Sequence, residues 1–119
     1  MRAVIQRVIE ASVCIGGLEK AAIGKGLLVF IGIEDQDTQD DVEWLAGKII
    51  RLRIFSDENH LMNISVGEVN GEILTVSQFT LHASTKKGNR PSFIKAAKPD
   101  HAVALYHTFL KQITIDLGK

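Results

Sequence analysis

Apolar and polar positions alternate early in the chain and recur at helical intervals in two later stretches. Residues 2–15, RAVIQRVIEASVCI, put Ala3, Ile5 and Arg7 on one parity and Val4, Gln6 and Val8 on the other, and the phase blurs near Val8, Ile9 and Ala11. That pattern predicts one long strand carrying a bulge. Gly16 and Gly17 supply a tight hairpin turn, with residues 19–23 returning as the partner strand. Gly24 and Gly26 flank Lys25 as turn residues. LLVFIGI, residues 27–33, then offers seven uncharged side chains, which predict a central strand buried on both faces.

The first helix has a start signal and a stripe. Asp37 or Thr38 caps it, Asp40 and Asp41 sit near the positive end of its dipole, and Val42, Leu45, Ala46, Ile49 and Ile50 form one apolar face. Gly47 inside that helix implies close packing, because glycine costs about 1 kcal/mol there relative to alanine. Beyond Leu52 the pattern predicts a short strand, a turn at residues 57–59, and a second short strand over residues 64–66. Asn70 and Gly71 are a hairpin signal. They lead into a strand in which Leu74, Val76 and Gln78 alternate with Thr75, Ser77 and Phe79. Pro91 interrupts a basic loop, residues 92–97 suit a helical turn, and Pro99 opens a second helix whose Ala102, Tyr106, Phe109 and Ile113 face the sheet. The order β-β-β-α-β-β-β-α is an α+β fold, with residues 1–119 as a single domain.

A chain of this length buries about two thirds of its unfolded surface, and 45% hydrophobic residues suffice for a core without staples. Fourteen basic and fourteen acidic residues cancel, so the overall field names no partner. The distribution is more informative. Residues 81–99 hold Lys86, Lys87, Arg90, Lys95 and Lys98 and no acid, whereas residues 34–43 hold Glu34, Asp35, Asp37, Asp40, Asp41 and Glu43 and no base. One face is thereby suited to phosphate. Cys14 is the sole cysteine and sits in an apolar strand pattern, which predicts a buried small hydrophobe in a reducing compartment. No signal peptide core or membrane-length apolar run is present, so the expectation is a soluble, cytoplasmic protein.

The residues that invite chemistry lie in LTVSQFTLHASTKKGNRP, residues 74–91, where Ser77, Gln78, Phe79 and Thr80 stand together at a strand end before the basic loop. Ordinary strand hydroxyls explain Ser77 and Thr80 equally well. The four histidines have no metal-ligand spacing among themselves or with Cys14, and none stands near the acidic cluster, so no metal site is expected from spacing. His82 adjoins the key strand and is the histidine best placed to meet a substrate. The Gly24–Lys25–Gly26 spacing fits no phosphate loop, and there is no GxSxG elbow or assignable Ser-His-Asp set. Backbone donors aimed at a developing oxyanion need no titrating side chain and remain an alternative to a Thr80 or Ser77 nucleophile.

MRAVIQRV, GKGLLVFIGI, DTQDDVEWLAGKIIRLRIF, MNIS, VSQFTL, KGNRPSF, AAKP and LYHTF, in that order, resemble the D-aminoacyl-tRNA deacylase family over essentially the whole chain. The resemblance implies a barrel-like, antiparallel or mixed sheet with two helices, a homodimer, and hydrolysis, without metal or organic cofactor, of the ester joining a D-amino acid or glycine to tRNA. It implies that Ser77, Gln78, Phe79 and Thr80 line the site for the terminal adenosine, with backbone donors near Phe79 and Thr80 for the carbonyl oxygen. Water attacks, and the RNA 2'-hydroxyl assists. Lys86, Lys87 and Arg90 would neutralise tRNA phosphates, and Arg7 would help hold the loop that reads chirality. Family chains continue past the position of Lys119 into further strands and a Gly-Pro-Val-Thr segment that this sequence does not contain. The same residues also admit a tRNA-binding dimer module without turnover.

Overall fold

The protein is described by a computed structural model over residues 1–86 and 88–118; Lys87, one of the expected tRNA contacts, lies outside the described residues. Its centre is β4 (Gly26–Gly32), flanked by β1 (Arg2–Val8) antiparallel and by β7 (Glu72–Ser77) parallel, in the order β1-β4-β7. The alternation within β4 is resolved by burial. Leu27, Val29 and Ile31 point to one face and are fully buried, while Leu28 and Phe30 on the other face are half-buried. Each buried branched side chain contributes about 1.5–3 kcal/mol relative to exposure, so one face of β4 anchors the domain. Against it pack Val42, Ala46 and Ile49 of α1 (Gln39–Arg51) and Phe109 and Ile113 of α2 (Pro99–Leu117).

The local signals for both helices hold. Thr38 caps α1, and the Asp41 carboxylate accepts from the Thr38 backbone N–H at 2.8 Å. Pro99 occupies the first position of α2. Asp37 is buried and accepts from the Glu34 N–H and the Met1 amine, both at 2.7 Å. The acidic cluster is thus chiefly the entry to a helix. At Gly47 a Cβ would meet the Arg51 guanidinium at 2.8 Å, so the close packing there is with the helix's own side chain.

Three expectations need correction. Residues 2–15 are two strands rather than one, since β1 pairs with β4 whereas β2 (Ala11–Ile15) leaves to pair with β3 (Leu18–Ile23). A change of sheet blurs the side-chain phase as a bulge does. The bulge itself lies further on, between Val13 and Cys14, and Cys14 is exposed rather than buried. Asn70 and Gly71 do not close a hairpin, because β5 (Phe55–Ser56) pairs with β6 (Met62–Ile64) while β7 runs parallel to β4. By contrast Gly16 and Gly17, with φ of 59° and 81°, make the β2–β3 turn that only such residues accept readily. The described strands form one three-stranded and two two-stranded sheets, with no closed barrel among them.

Candidate active site

β7 ends at Ser77, and Gln78 is already the cap of a 3-10 turn over Phe79–His82. The alternation expected to run to Phe79 therefore stops at Ser77, and the reason is β4. The Gln78 N–H bonds Ile31 O at 2.7 Å, the last ladder position before Gly32, beyond which β4 offers no further edge. Within the 3-10 turn, Leu81 N bonds Gln78 O and Ala83 N bonds Thr80 O. The N–H groups of Phe79 and Thr80 precede the first such bond and have no acceptor among the described residues. First-turn N–H groups have no partner within their own helix. Two adjacent free donors at a strand end are what an oxyanion requires.

Beside this turn lies a cleft of about 690 Å³ lined by Ser77, Phe79, Phe93, Lys98, Tyr106 and His107, among others. Phe79 and Phe93 meet edge-to-face at 5.1 Å and 72°, so one wall is an aromatic pair. The opposite wall is the first turns of α2. Its position is fixed by the Tyr106 hydroxyl, which donates to Thr75 O on β7 at 2.9 Å. Burial pushes the Tyr106 phenol above its ordinary pKa, keeping it a neutral donor. His107 is exposed at the rim. The side chains of Gln78 and Thr80 turn to each other, the Gln78 amide donating to the Thr80 hydroxyl, and neither is among the cleft's lining residues. An amide N–H cannot take up a proton, so this partner does not activate Thr80 as a nucleophile.

The basic loop starts and ends at a two-bond bridge between Ser84 and Ser92, with N···O distances of 2.7 and 2.8 Å. Lys86 and Arg90 are exposed beyond it. Lys95 instead lies by the acidic stretch, and Lys98 is among the residues lining the cleft. Lys95 shares a pocket with Glu34 and Asp35, and the Lys98 N–H bonds Asp35 at 3.1 Å. The loop tip is the part of the basic run left open to a polyanion.

Arg7 is not brought to the cleft within this chain. It pairs with Leu27 and bonds Ile54 O at 3.0 Å, whereas Ser77 pairs with Ile31, four residues along the sheet, about 13 Å away. Arg2 is at the correct end, its guanidinium donating to Leu81 O at 2.8 Å. His82 is buried behind the turn rather than in the cleft. Phe93, Tyr106 and His107 were not read as site residues, because the Ser84–Ser92 bridge brings the Phe93 segment back to Phe79 and only the packing of α2 brings Tyr106 and His107 to β7. The helical spacing of Tyr106 was the sole signal. Among the described residues no group of three His, Cys, Asp or Glu is arranged to hold a metal, and no helix is long and apolar enough to cross a membrane.

Comparison with known proteins bears on this arrangement. The sequence model of a family described as D-Tyr-tRNA(Tyr) deacylase matches residues 4–119. A D-aminoacyl-tRNA deacylase of Flavobacterium johnsoniae is 62% identical over 119 residues, covering the whole chain and 79% of that relative. One of Parabacteroides distasonis is 64% identical over the same span and share. A solved structure described as c-Myc DNA Unwinding Element Binding Protein superposes with a TM-score of 0.91 at 44% identity, covering 97% of this chain and 77% of that one. A probable eukaryotic D-amino acid tRNA deacylase shares the fold, with a TM-score of 0.81 at 23% identity over 98% and 68% of the two chains.

Proposed function

Because this chain belongs to the D-Tyr-tRNA(Tyr) deacylase family, it is an ester hydrolase of D-aminoacyl-tRNA, and we propose that hydrolysis occurs where the cleft meets the Phe79–His82 turn. The observation that carries this placement is the pair of free backbone donors on Phe79 and Thr80 beside an aromatic-walled cleft. The carbonyl oxygen of the ester lies against those two N–H groups. Water adds to the carbonyl carbon, the N–H pair takes the negative charge that develops on oxygen, and the bond to the ribose 3'-oxygen breaks. The proton lost by water reaches that leaving oxygen by way of the neighbouring 2'-hydroxyl. Free amino acid and tRNA result. A single donor of this kind contributes about 10²–10³ in rate.

In this reading Ser77 and Phe79 line the site, Thr80 adds its backbone N–H, Gln78 holds the Thr80 side chain, and the Phe79–Phe93 pair offers a face on which the terminal adenine stacks. Lys86, Lys87 and Arg90 neutralise phosphates near the acceptor end. The homodimer is part of the proposal and gives Arg7 a place, since a side chain so far along its own sheet reaches a cleft only across a subunit boundary. Exposed Ile15 and Leu18 on the β2–β3 hairpin support such an association. A cytoplasmic location and the acceptance of glycyl-tRNA belong to the same proposal and rest on the family rather than on the geometry of the cleft.

The test is release of free D-tyrosine from D-tyrosyl-tRNA, with tRNA affinity measured across salt concentrations. Lys86→Ala and Arg90→Ala should each weaken binding and reduce the slope of log K against log salt by about 1. Salt-sensitive binding without release of amino acid would replace this reading with that of a tRNA-binding module.

A further inference from the structure

Beneath the donor turn lies a buried titratable group that the hydrolysis does not use. His82 is 3% exposed, and neither ring nitrogen makes a hydrogen bond in line with a partner. Its Nδ1 is 3.2 Å from Oε1 of Glu34, whose side chain is about a third exposed. The other side of the ring lies over Gly32, where a Cβ would meet His82 Cδ2 at 3.0 Å, Leu81 Cβ at 2.9 Å and Gln78 O at 3.1 Å. The imidazole thus fills the space between the end of β4 and the turn that carries the Phe79 and Thr80 N–H groups. For stability alone an apolar side chain would fill that space at lower cost, because buried nitrogens without good partners are destabilising. What an apolar side chain lacks is a polar edge for the Glu34 carboxylate.

We infer that His82 is a positioning residue for the deacylation, holding the Phe79–His82 turn in register through its contacts with Gly32 and Glu34 so that the two backbone donors keep their aim. The turn is held besides by its own backbone bonds and by the Phe79–Phe93 contact on its cleft side. The Gln78 N–H is tied to Ile31 at its start and Leu81 O to Arg2 near its end. At that end the imidazole packs with Leu81 Cβ and Gln78 O against Gly32 and adds the approach to Glu34 that neither tie supplies. The inference rests on the reading of Phe79 and Thr80 as the carbonyl donors. Because His82 is not a cleft residue, its loss should lower the chemical step and leave tRNA binding, which belongs to the loop beyond Ser84 and Ser92, as it was.

The experiment compares the wild-type chain with His82→Leu, His82→Gln and Glu34→Ala in single-turnover hydrolysis of D-tyrosyl-tRNA at saturating enzyme, alongside tRNA affinity and thermal midpoint. His82→Leu preserves bulk and removes the polar edge. Its rate should fall roughly 10- to 100-fold, the range a sub-ångström misplacement produces, with affinity within about twofold and no loss of thermal stability. His82→Gln, whose amide keeps a polar edge towards Glu34, should recover most of the rate, and Glu34→Ala should slow the reaction in the same direction. If His82→Leu does not fold, His82→Gln and Glu34→Ala decide the matter. Wild-type rates in the folded variants would overturn the inference, as would a rate that falls only in proportion to the folded fraction or to tRNA affinity. A wild-type chain that releases no D-tyrosine would instead refute the functional reading beneath it.

Discussion

Replacing Gly32 with alanine places one methyl group under the donor turn and changes nothing in the cleft itself. The Cβ would come to 2.9 Å from Leu81 Cβ, 3.0 Å from His82 Cδ2 and 3.1 Å from Gln78 O. Carbon contacts are optimal at about 3.5–4.0 Å, so the turn must retreat by roughly half an ångström. One of the three neighbours is backbone and another is a Cβ, so a rotamer change does not relieve the clash. Overpacking of this kind costs about 1–3 kcal/mol. For a chain of this size that is a fall of about 4–12 °C in Tm. Kinetically, a displacement of about 1 Å at the reacting groups costs about 10²-fold, and half of it corresponds to about tenfold. Single-turnover hydrolysis of D-tyrosyl-tRNA should therefore slow about tenfold at a temperature where the variant is fully folded, with tRNA affinity unchanged. A Gly32→Ala protein with wild-type Tm and rate would show that the turn is not seated on β4 as described. A normal rate with a lowered Tm would separate the seat from the chemistry.

Three further outcomes follow from the same geometry. Tyr106→Phe removes the hydrogen bond from α2 to Thr75 O and should cost about 1 kcal/mol in denaturant unfolding; an unchanged midpoint would mean that α2 is held without it. His107→Asn alters the rim of the cleft without touching the donors and should leave the rate within a few-fold; a loss of 10²-fold or more would identify His107 as a proton-transfer group. The Asp57 carboxylate is held below its ordinary pKa by hydrogen bonds from the Asn63 side chain and from the Leu61 and Asn59 N–H groups. Since its folded value is depressed, its contribution is complete above the unfolded value of about 4 and is lost as pH falls through the folded value. Thermal midpoints of wild type and Asp57→Ala, recorded from neutral to acidic pH, should differ at neutrality and converge below about pH 4; a constant difference would refute the assignment.

Much of the fold was legible because its signals are local. The capped start of α1, the glycine pair of the β2–β3 turn, Pro99 and the uncharged run of β4 each depend on neighbours in sequence. The misread segments depend on partners far away. Residues 9 and 10 carry the chain from one sheet to another, and nothing in an alternation pattern distinguishes that from a bulge. Asn70 does adopt φ of 55°, as its hairpin signal suggests, but Gly71 then sits against Gly26 and sends β7 parallel to β4. Ser77, Gln78, Phe79 and Thr80 are consecutive, so the sequence could mark them as a cluster. Only the structure divides their labour: Ser77 and Phe79 line the cleft, while Gln78 and Thr80 pair with each other. Arg7 was singled out by family pattern alone and lies at the other end of its sheet.

The central claim is that the backbone at Phe79 and Thr80, rather than a side-chain nucleophile, handles the ester. Single-turnover release of D-tyrosine from D-tyrosyl-tRNA by wild type and Thr80→Ala, with acid-quenched samples examined for D-tyrosine bound to the protein, tests it directly. The account predicts hydrolysis by both proteins, rates within about tenfold of each other, and no acylated enzyme; a lost hydroxyl nucleophile would cost far more than that. Abolished turnover in Thr80→Ala together with a D-tyrosyl adduct on the wild-type chain would contradict it.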